Sequence, residues 1–225
     1  MSGEDAVKHR IAKRGAAELK PYSIVNLGIG IPTLVAKYVT DPTIYFHSEN
    51  GLLGVTELEG EHDYDPQRVN AGKLPVGEAP GACYFNSSDS FAMIRGGHVD
   101  VAMLGVLQVD EQGYIANWAI PGQNIIGVGG AMDLLSGAKK IIALTNHTDR
   151  KGNPKLVKKC SFPITSLRKV DVIITELAVF EYRDGGLVLT ELMPDSSLEK
   201  VKAHTEAAFK VDEKLMQQIN GSLQE

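Results

Sequence analysis

The chain has few of the residues that mark several protein classes. Only two cysteines occur in 225 residues, Cys83 and Cys160, far apart and in unlike contexts. A disulfide framework is therefore not expected, and a reducing cytoplasm is the default location. There is one tryptophan, and no uninterrupted apolar run approaches the roughly 18–20 residues that span a bilayer, so no membrane partner is expected. Positive charge is not in excess: the formal net charge is -5, which gives no cationic footprint for nucleic acid. The six histidines never pair at metal-ligand spacing, so no metal site is expected. Lys8, Arg10, Lys13 and Arg14 suggest a transit peptide, but Glu4, Asp5 and Glu18 interrupt them and no apolar core follows.

With 43% apolar residues, the chain can bury a full core and is read as one domain over 1–225. No internal repeat, linker or low-complexity tract divides it. Strand-like segments at 23–27, 43–48, 99–104, 141–145, 170–175 and 187–192 alternate with helical ones. This predicts an α/β domain around a single open, mostly parallel sheet. Val7, Ile11 and Leu19 predict an amphipathic N-terminal helix that packs on its own domain. A helix is expected to open near Pro32, another to run from an N-cap at Ser88 to Arg95, and a polar one to follow Asp212. Residues 57–82 read as a long surface excursion.

Three features offer chemistry. Asn26-Leu27-Gly28-Ile29-Gly30-Ile31-Pro32 follows a strand and precedes a helix, where backbone N–H groups can approach a ligand. It is equally a tight strand-to-helix connection. Glu49 stands just before Asn50-Gly51, a pair that favours a turn with positive φ, at the mouth of the sheet where open α/β folds bind ligands. An exposed strand-end glutamate is the plain alternative. The third feature, Gly127-Val128-Gly129-Gly130, opens another helix and can aim N–H groups at one oxygen, or simply make an unusual turn.

Strand, glycine turn, helix, strand and acid also outline a dinucleotide-binding fold, in which Glu49 would hold a ribose. Thr33 occupies the place of the third glycine of that motif, which counts against it. His98 and Asp100 read as structural, and the run Glu57, Glu59, Glu61, His62, Asp63 and Asp65 as a solvated loop lacking calcium-loop spacing.

Ser48-Glu49-Asn50-Gly51 resembles the active-site motif of family I CoA transferases. Asn26 to Pro32, Asn70-Ala71-Gly72-Lys73, Phe91 to Asp100, Ala116-Asn117-Trp118 and Gly129 to Leu134 resemble the same family's B subunit, in the same order, from about residue 8 to 210. The likeness is closest to the branch handling short 3-oxo acids, which includes the succinyl-CoA:3-oxoacid, butyrate–acetoacetate and 3-oxoadipate enzymes. It implies the open α/β architecture shared with some sugar-phosphate isomerases. It also implies ping-pong exchange of CoA between an acyl-CoA and a free carboxylate, with Glu49 as nucleophile. Gly130 matches a backbone oxyanion donor supported by Gly129; Asn26 and Lys73 match positions near bound CoA, and Asn50 and Gly51 of the motif are expected to bind substrate or CoA with them. CoA is then a substrate, no cofactor is required, and the partner is an A subunit, in an A2B2 hetero-oligomer. Leu74-Pro75, Gln123, Ile126 and Val128 depart from the family's usual residues, which bears on the setting of Lys73 and on CoA and acyl contacts. The competing functions are a nucleotide-dependent oxidoreductase of similar fold and a non-catalytic ligand sensor.

Overall fold

A computed structural model describes residues 3–60, 64–123, 125 and 127–222. Glu61, His62, Asp63 and Ile126 therefore lie outside the described residues. The chain runs through α1 (Gly3–Ala16), β1 (Ile24–Leu27), a 3-10 helix (Ile31–Tyr38), β2 (Tyr45–Ser48), β3 (Leu52–Thr56), β4 (Gly77–Tyr84), α2 (Ser87–Arg95) and β5 (Val101–Gly105). It continues with β6 (Gln108–Asp110), β7 (Ile115–Ala116), α3 (Ala131–Gly137), β8 (Lys140–Leu144), β9 (Leu156–Val157) and β10 (Val172–Ile174). The last elements are β11 (Ala178–Arg183), β12 (Gly186–Leu192), α4 (Leu198–His204), β13 (Phe209–Val211) and α5 (Glu213–Ser222).

The main sheet has the order β13-β12-β11-β10-β8-β5-β1-β2-β3-β4, and β7-β6-β9 form a small second sheet. The centre, β10-β8-β5-β1-β2, is parallel; β2-β3-β4 and β10-β11-β12 add antiparallel edges. Central strands covered on both faces read as continuous apolar runs. In β5, Val101 and Met103 pack with α1 and the 3-10 helix, whereas Ala102 and Leu104 pack with α2 and α3. β8 and β10 alternate in the same way. Ile11 and Ala12 of α1 are fully buried, with Val7 and Leu19 packed beside them. The N-terminal segment thus packs as an amphipathic helix, although Leu19 lies past its end.

Chain order places the site. β1 pairs with β2 on one side and β5 on the other, so the connections diverge at the carboxyl end of β1. Such a switch point leaves a crevice in an open parallel sheet. Asn26 and Glu49 stand there.

Two expectations need correction. The excursion at 57–82 is only partly loop, because Gly77–Tyr84 forms edge strand β4 against β3. Pro80, Gly81 and small alanines hide the alternation, and an edge strand tolerates them. Asn86, not Ser88, caps α2: its side-chain oxygen accepts from the Asp89 N–H at 2.9 Å. The helix expected near Pro32 is present as the 3-10 helix over Ile31–Tyr38.

Candidate active site

Glu49 directly follows β2, half-buried, and the Gly51 N–H donates back to the Ser48 carbonyl at 3.0 Å to close the turn. Gly51 has φ 128°, and a Cβ there would lie 2.1 Å from the Phe85 carbonyl oxygen. The Asn-Gly pair is therefore required by a close backbone approach as well as by the turn.

Four segments meet at Glu49. Asn26, fully buried near the end of β1, donates from Nδ2 to Glu49 Oε2 at 3.0 Å. The same Nδ2 lies 3.2 Å from the His47 carbonyl oxygen and 3.2 Å from His47 Nδ1. His47 Nε2 is 3.0 Å from Ser90 Oγ on α2, and its ring stacks on Phe85 at a centroid distance of 5.9 Å. Burial pushes the His47 imidazole down to about 4, so it is neutral near pH 7. Among the described residues Asn26 Oδ1 is buried without a partner, a cost of about 1–3 kcal/mol that a purely structural residue rarely carries.

Gly130 is the N-cap of α3, with ordinary helical angles (φ -79°, ψ -3°). A Cβ built on it would stand 3.2 Å from Glu49 Cγ and 3.2 Å from Phe91 Cζ. The glycine that sequence placed some 80 residues from Glu49 thus lies within a methyl group's width of it. Gly129 reaches this place through φ 57°, with open space where its side chain would be.

The 70–73 turn grips both neighbours of Glu49. The Ala71 N–H donates to Ser48 Oγ at 2.9 Å, and Asn50 Nδ2 donates to the Val69 carbonyl at 2.7 Å. Lys73 is exposed at φ 62°, with its N–H donating to the Asn70 carbonyl. Leu74-Pro75 fits this turn: Asn70 Oδ1 accepts the Leu74 N–H, and Pro75 pairs with Val69. Below it lies a cavity of about 490 Å³ lined by Leu27, Phe46, His47, Ser48, Asn70 and Leu74. A larger cavity, about 1150 Å³, lies elsewhere: Gln108, Gln123, Asn146, Lys155 and Phe162 line it, and Glu49 does not.

The first glycine cluster has other work. The Gly28 N–H donates to the Met103 carbonyl at 2.8 Å, and Thr33 Oγ1 donates to the Gly28 carbonyl at 3.1 Å. The Gly28 N–H is therefore committed to the sheet and not free for a phosphate. Asp100 ties Ile24 N–H to Lys139, a structural role, and His98 is exposed beside the α2 terminus. Among the described residues no cluster of three histidine, cysteine or acidic side chains could hold a metal ion, and no helix is long and apolar enough to cross a membrane.

His47, Ser90 and Phe91 were not singled out from sequence. The period-2 alternation of β2 could have found His47, since it puts that residue on the same sheet face as Asn26.

Comparison with known proteins bears on the same residues. The chain is 50% identical over 205 residues to the B subunit of the succinyl-CoA:3-ketoacid coenzyme A transferase of Helicobacter pylori (strain ATCC 700392 / 26695), covering 91% of this chain and 99% of that one. It is 47% identical over 205 residues to the beta chain of the acetate CoA-transferase of Escherichia coli (strain K12), covering 91% and 94%. An acyl-CoA transferase apoenzyme structure from Escherichia coli O157:H7 superposes with TM-score 0.75 at 21% identity, over 92% of this chain and 42% of that chain. That likeness concerns the fold, and agrees with the open α/β sheet. Residues 8–204 match the pattern described as Coenzyme A transferase. The oxidoreductase and sensor readings find no support in these matches, and this chain belongs to the coenzyme A transferase family.

Proposed function

We propose that this chain is the glutamate-bearing B-type half of a CoA transferase that exchanges CoA between short acyl or 3-oxoacyl thioesters and free acids, with Glu49 as nucleophile. The observation that carries the reading is the pairing of Glu49 Oε2 with Asn26 Nδ2 at 3.0 Å beside the Gly130 backbone.

One carboxylate oxygen of Glu49 attacks the thioester carbonyl. The oxyanion formed is stabilised by the Gly130 N–H, for which the described residues offer no backbone acceptor. The C–S bond breaks, CoA leaves as thiolate, and an acyl–glutamyl anhydride remains. The thiolate then attacks the glutamyl carbonyl carbon and expels the donor acid as carboxylate, leaving a Glu49–CoA thioester. During this second attack negative charge grows on Oε2, the oxygen that Asn26 already holds. The acceptor carboxylate repeats both steps in reverse. No proton, water or electron is consumed, and the bond energy stays in the anhydride and thioester. Lys73, on the turn tied to Ser48 and Asn50, supports CoA, with Gly129, Asn50 and Gly51 fixing the backbone around the site.

A partner completes the enzyme. Large apolar side chains stand exposed on the segments that flank the site: Ile29 (71%), beside Gly72 of the 70–73 turn, Leu74 (55%), which follows that turn, and Met132 (47%), two residues after Gly130. We assign this face to an A subunit, in an A2B2 assembly. Substrate class rests on the relatives: one is named for succinyl-CoA and a 3-ketoacid, another for acetate. Exchange assays with the A partner should show Glu49→Gln inactive, with wild-type melting. Near-normal turnover of that variant would end the proposal.

A further inference from the structure

We propose that His47 is a positioning residue for CoA transfer: Nδ1 fixes the Asn26 amide that holds Glu49, and Nε2–H anchors the assembly to Ser90 on α2. The inference rests on Glu49 being the nucleophile.

The donor directions are set by elimination. Asn26 Nδ2 faces Glu49 Oε2 and the His47 carbonyl, both of which only accept. A flipped amide would set Oδ1 against two oxygens, so the nitrogen must face Glu49. That nitrogen, whose two hydrogens are shared among three acceptors, also lies 3.2 Å from His47 Nδ1, and a proton on Nδ1 would point at those hydrogens, which assigns Nδ1 as unprotonated. The proton then sits on Nε2 and is donated to Ser90 Oγ, 3.0 Å away. An imidazolium would turn an N–H on Nδ1 toward the Asn26 donor and break the array; its burial keeps the ring neutral.

The consequence is mechanical. Ser90 and its neighbour Phe91 share α2; Ser90 accepts from His47, and Phe91 stands 3.2 Å from where a Gly130 Cβ would be. His47 therefore joins the element that bears the nucleophile to the helix that walls the oxyanion amide. Its ring stacks on Phe85 and the residue is only 5% exposed, which holds the imidazole in this orientation. Reacting groups misplaced by about 1 Å can lose roughly 10²-fold in rate, with ground-state binding affected less.

His47→Leu keeps the apolar bulk and removes both nitrogens; His47→Gln retains a donor near Nε2. In exchange assays with the A partner, His47→Leu should lower kcat by about 10- to 100-fold with KM within about threefold. His47→Gln, which keeps a donor for Ser90 but not the acceptor that faces Asn26, should recover part of the loss. Glu49→Gln run alongside separates the two claims. An active Glu49→Gln overturns the nucleophile, whereas an inactive Glu49→Gln with His47→Leu at wild-type kcat overturns only the positioning role. A KM effect alone in His47→Leu, or a kcat loss in His47→Gln equal to that in His47→Leu, also overturns it. If His47→Leu does not fold, 15N NMR of the wild-type chain still decides. The expected signal is the Nε2–H tautomer of His47, and the Nδ1–H tautomer would contradict the proposal.

Discussion

One methyl group at Gly130 is the smallest change that reaches the reacting carboxylate. Its Cβ would lie 3.2 Å from Glu49 Cγ, 3.2 Å from Phe91 Cζ and 3.4 Å from Phe91 Cε1, so its neighbours must yield by a few tenths of an ångström. The backbone needs no adjustment, because φ -79° and ψ -3° suit alanine. The effect should therefore fall on Glu49 and on the aim of the Gly130 N–H, not on folding. Complete loss of one oxyanion donor costs about 10²- to 10³-fold. A displaced donor retains part of that, so Gly130→Ala should lower kcat about 10- to 100-fold and change CoA affinity little. Gly129→Ala is the mirror experiment. Nothing lies within 4 Å of its Cβ, but φ 57° strains alanine by about 1 kcal/mol. It should lower the melting temperature and leave more activity than Gly130→Ala. Steady-state exchange, CoA titration and thermal melts on both variants test this. Lost CoA binding in Gly130→Ala, with turnover of bound substrate intact, would refute the reasoning and make the loop a CoA-recognition element.

Other outcomes follow from the same geometry. His47 and His147 are both pushed down from 6.5 to about 4, mainly by burial. Between those values the unfolded chain binds protons that the folded chain refuses. Stability should be complete above pH 6.5 and fall toward pH 4, by up to about 1.4 kcal/mol per unit for each histidine; urea midpoints unchanged from pH 7.5 to 5 would contradict this. Gly51→Ala, with Cβ 2.1 Å from the Phe85 carbonyl oxygen at φ 128°, should destabilise by about 2–3 kcal/mol or more, and an unchanged melt would show that the turn can relax. Cys83 is exposed, whereas burial, then Asp110, pushes the Cys160 thiol up to about 12. An aromatic disulfide reagent should titrate Cys83 in the native chain and both thiols only in denaturant. Equal native reactivity would sink that assignment.

The sequence made the parallel centre legible because both faces are covered. Val101 to Leu104 and Ile141 to Leu144 are apolar at every position, a pattern few other structures require. Edge strand β4 was hidden, because an exposed strand carrying Pro80 and Gly81 has no buried face to mark it. Glu49 and the two glycines could be found from local turn chemistry and from the resemblance. Their meeting could not: Gly130 approaches Glu49 only because β1 and β2 lie beside each other while α2 and α3 pack on that face. His47 was overlooked because a buried histidine between Phe46 and Ser48 looks like any strand residue. Only the paired distances to Asn26 and Ser90 reveal its contacts.

The central claim is that CoA becomes covalently bound to Glu49. Peptide mass spectrometry of the chain with its A partner, after treatment with an acyl-CoA donor and no acceptor acid, tests it most directly. The account predicts a CoA thioester on the peptide containing residues 48–51, absent in Glu49→Gln. An adduct on Cys83 or Cys160, or steady exchange with no adduct at Glu49, would contradict it.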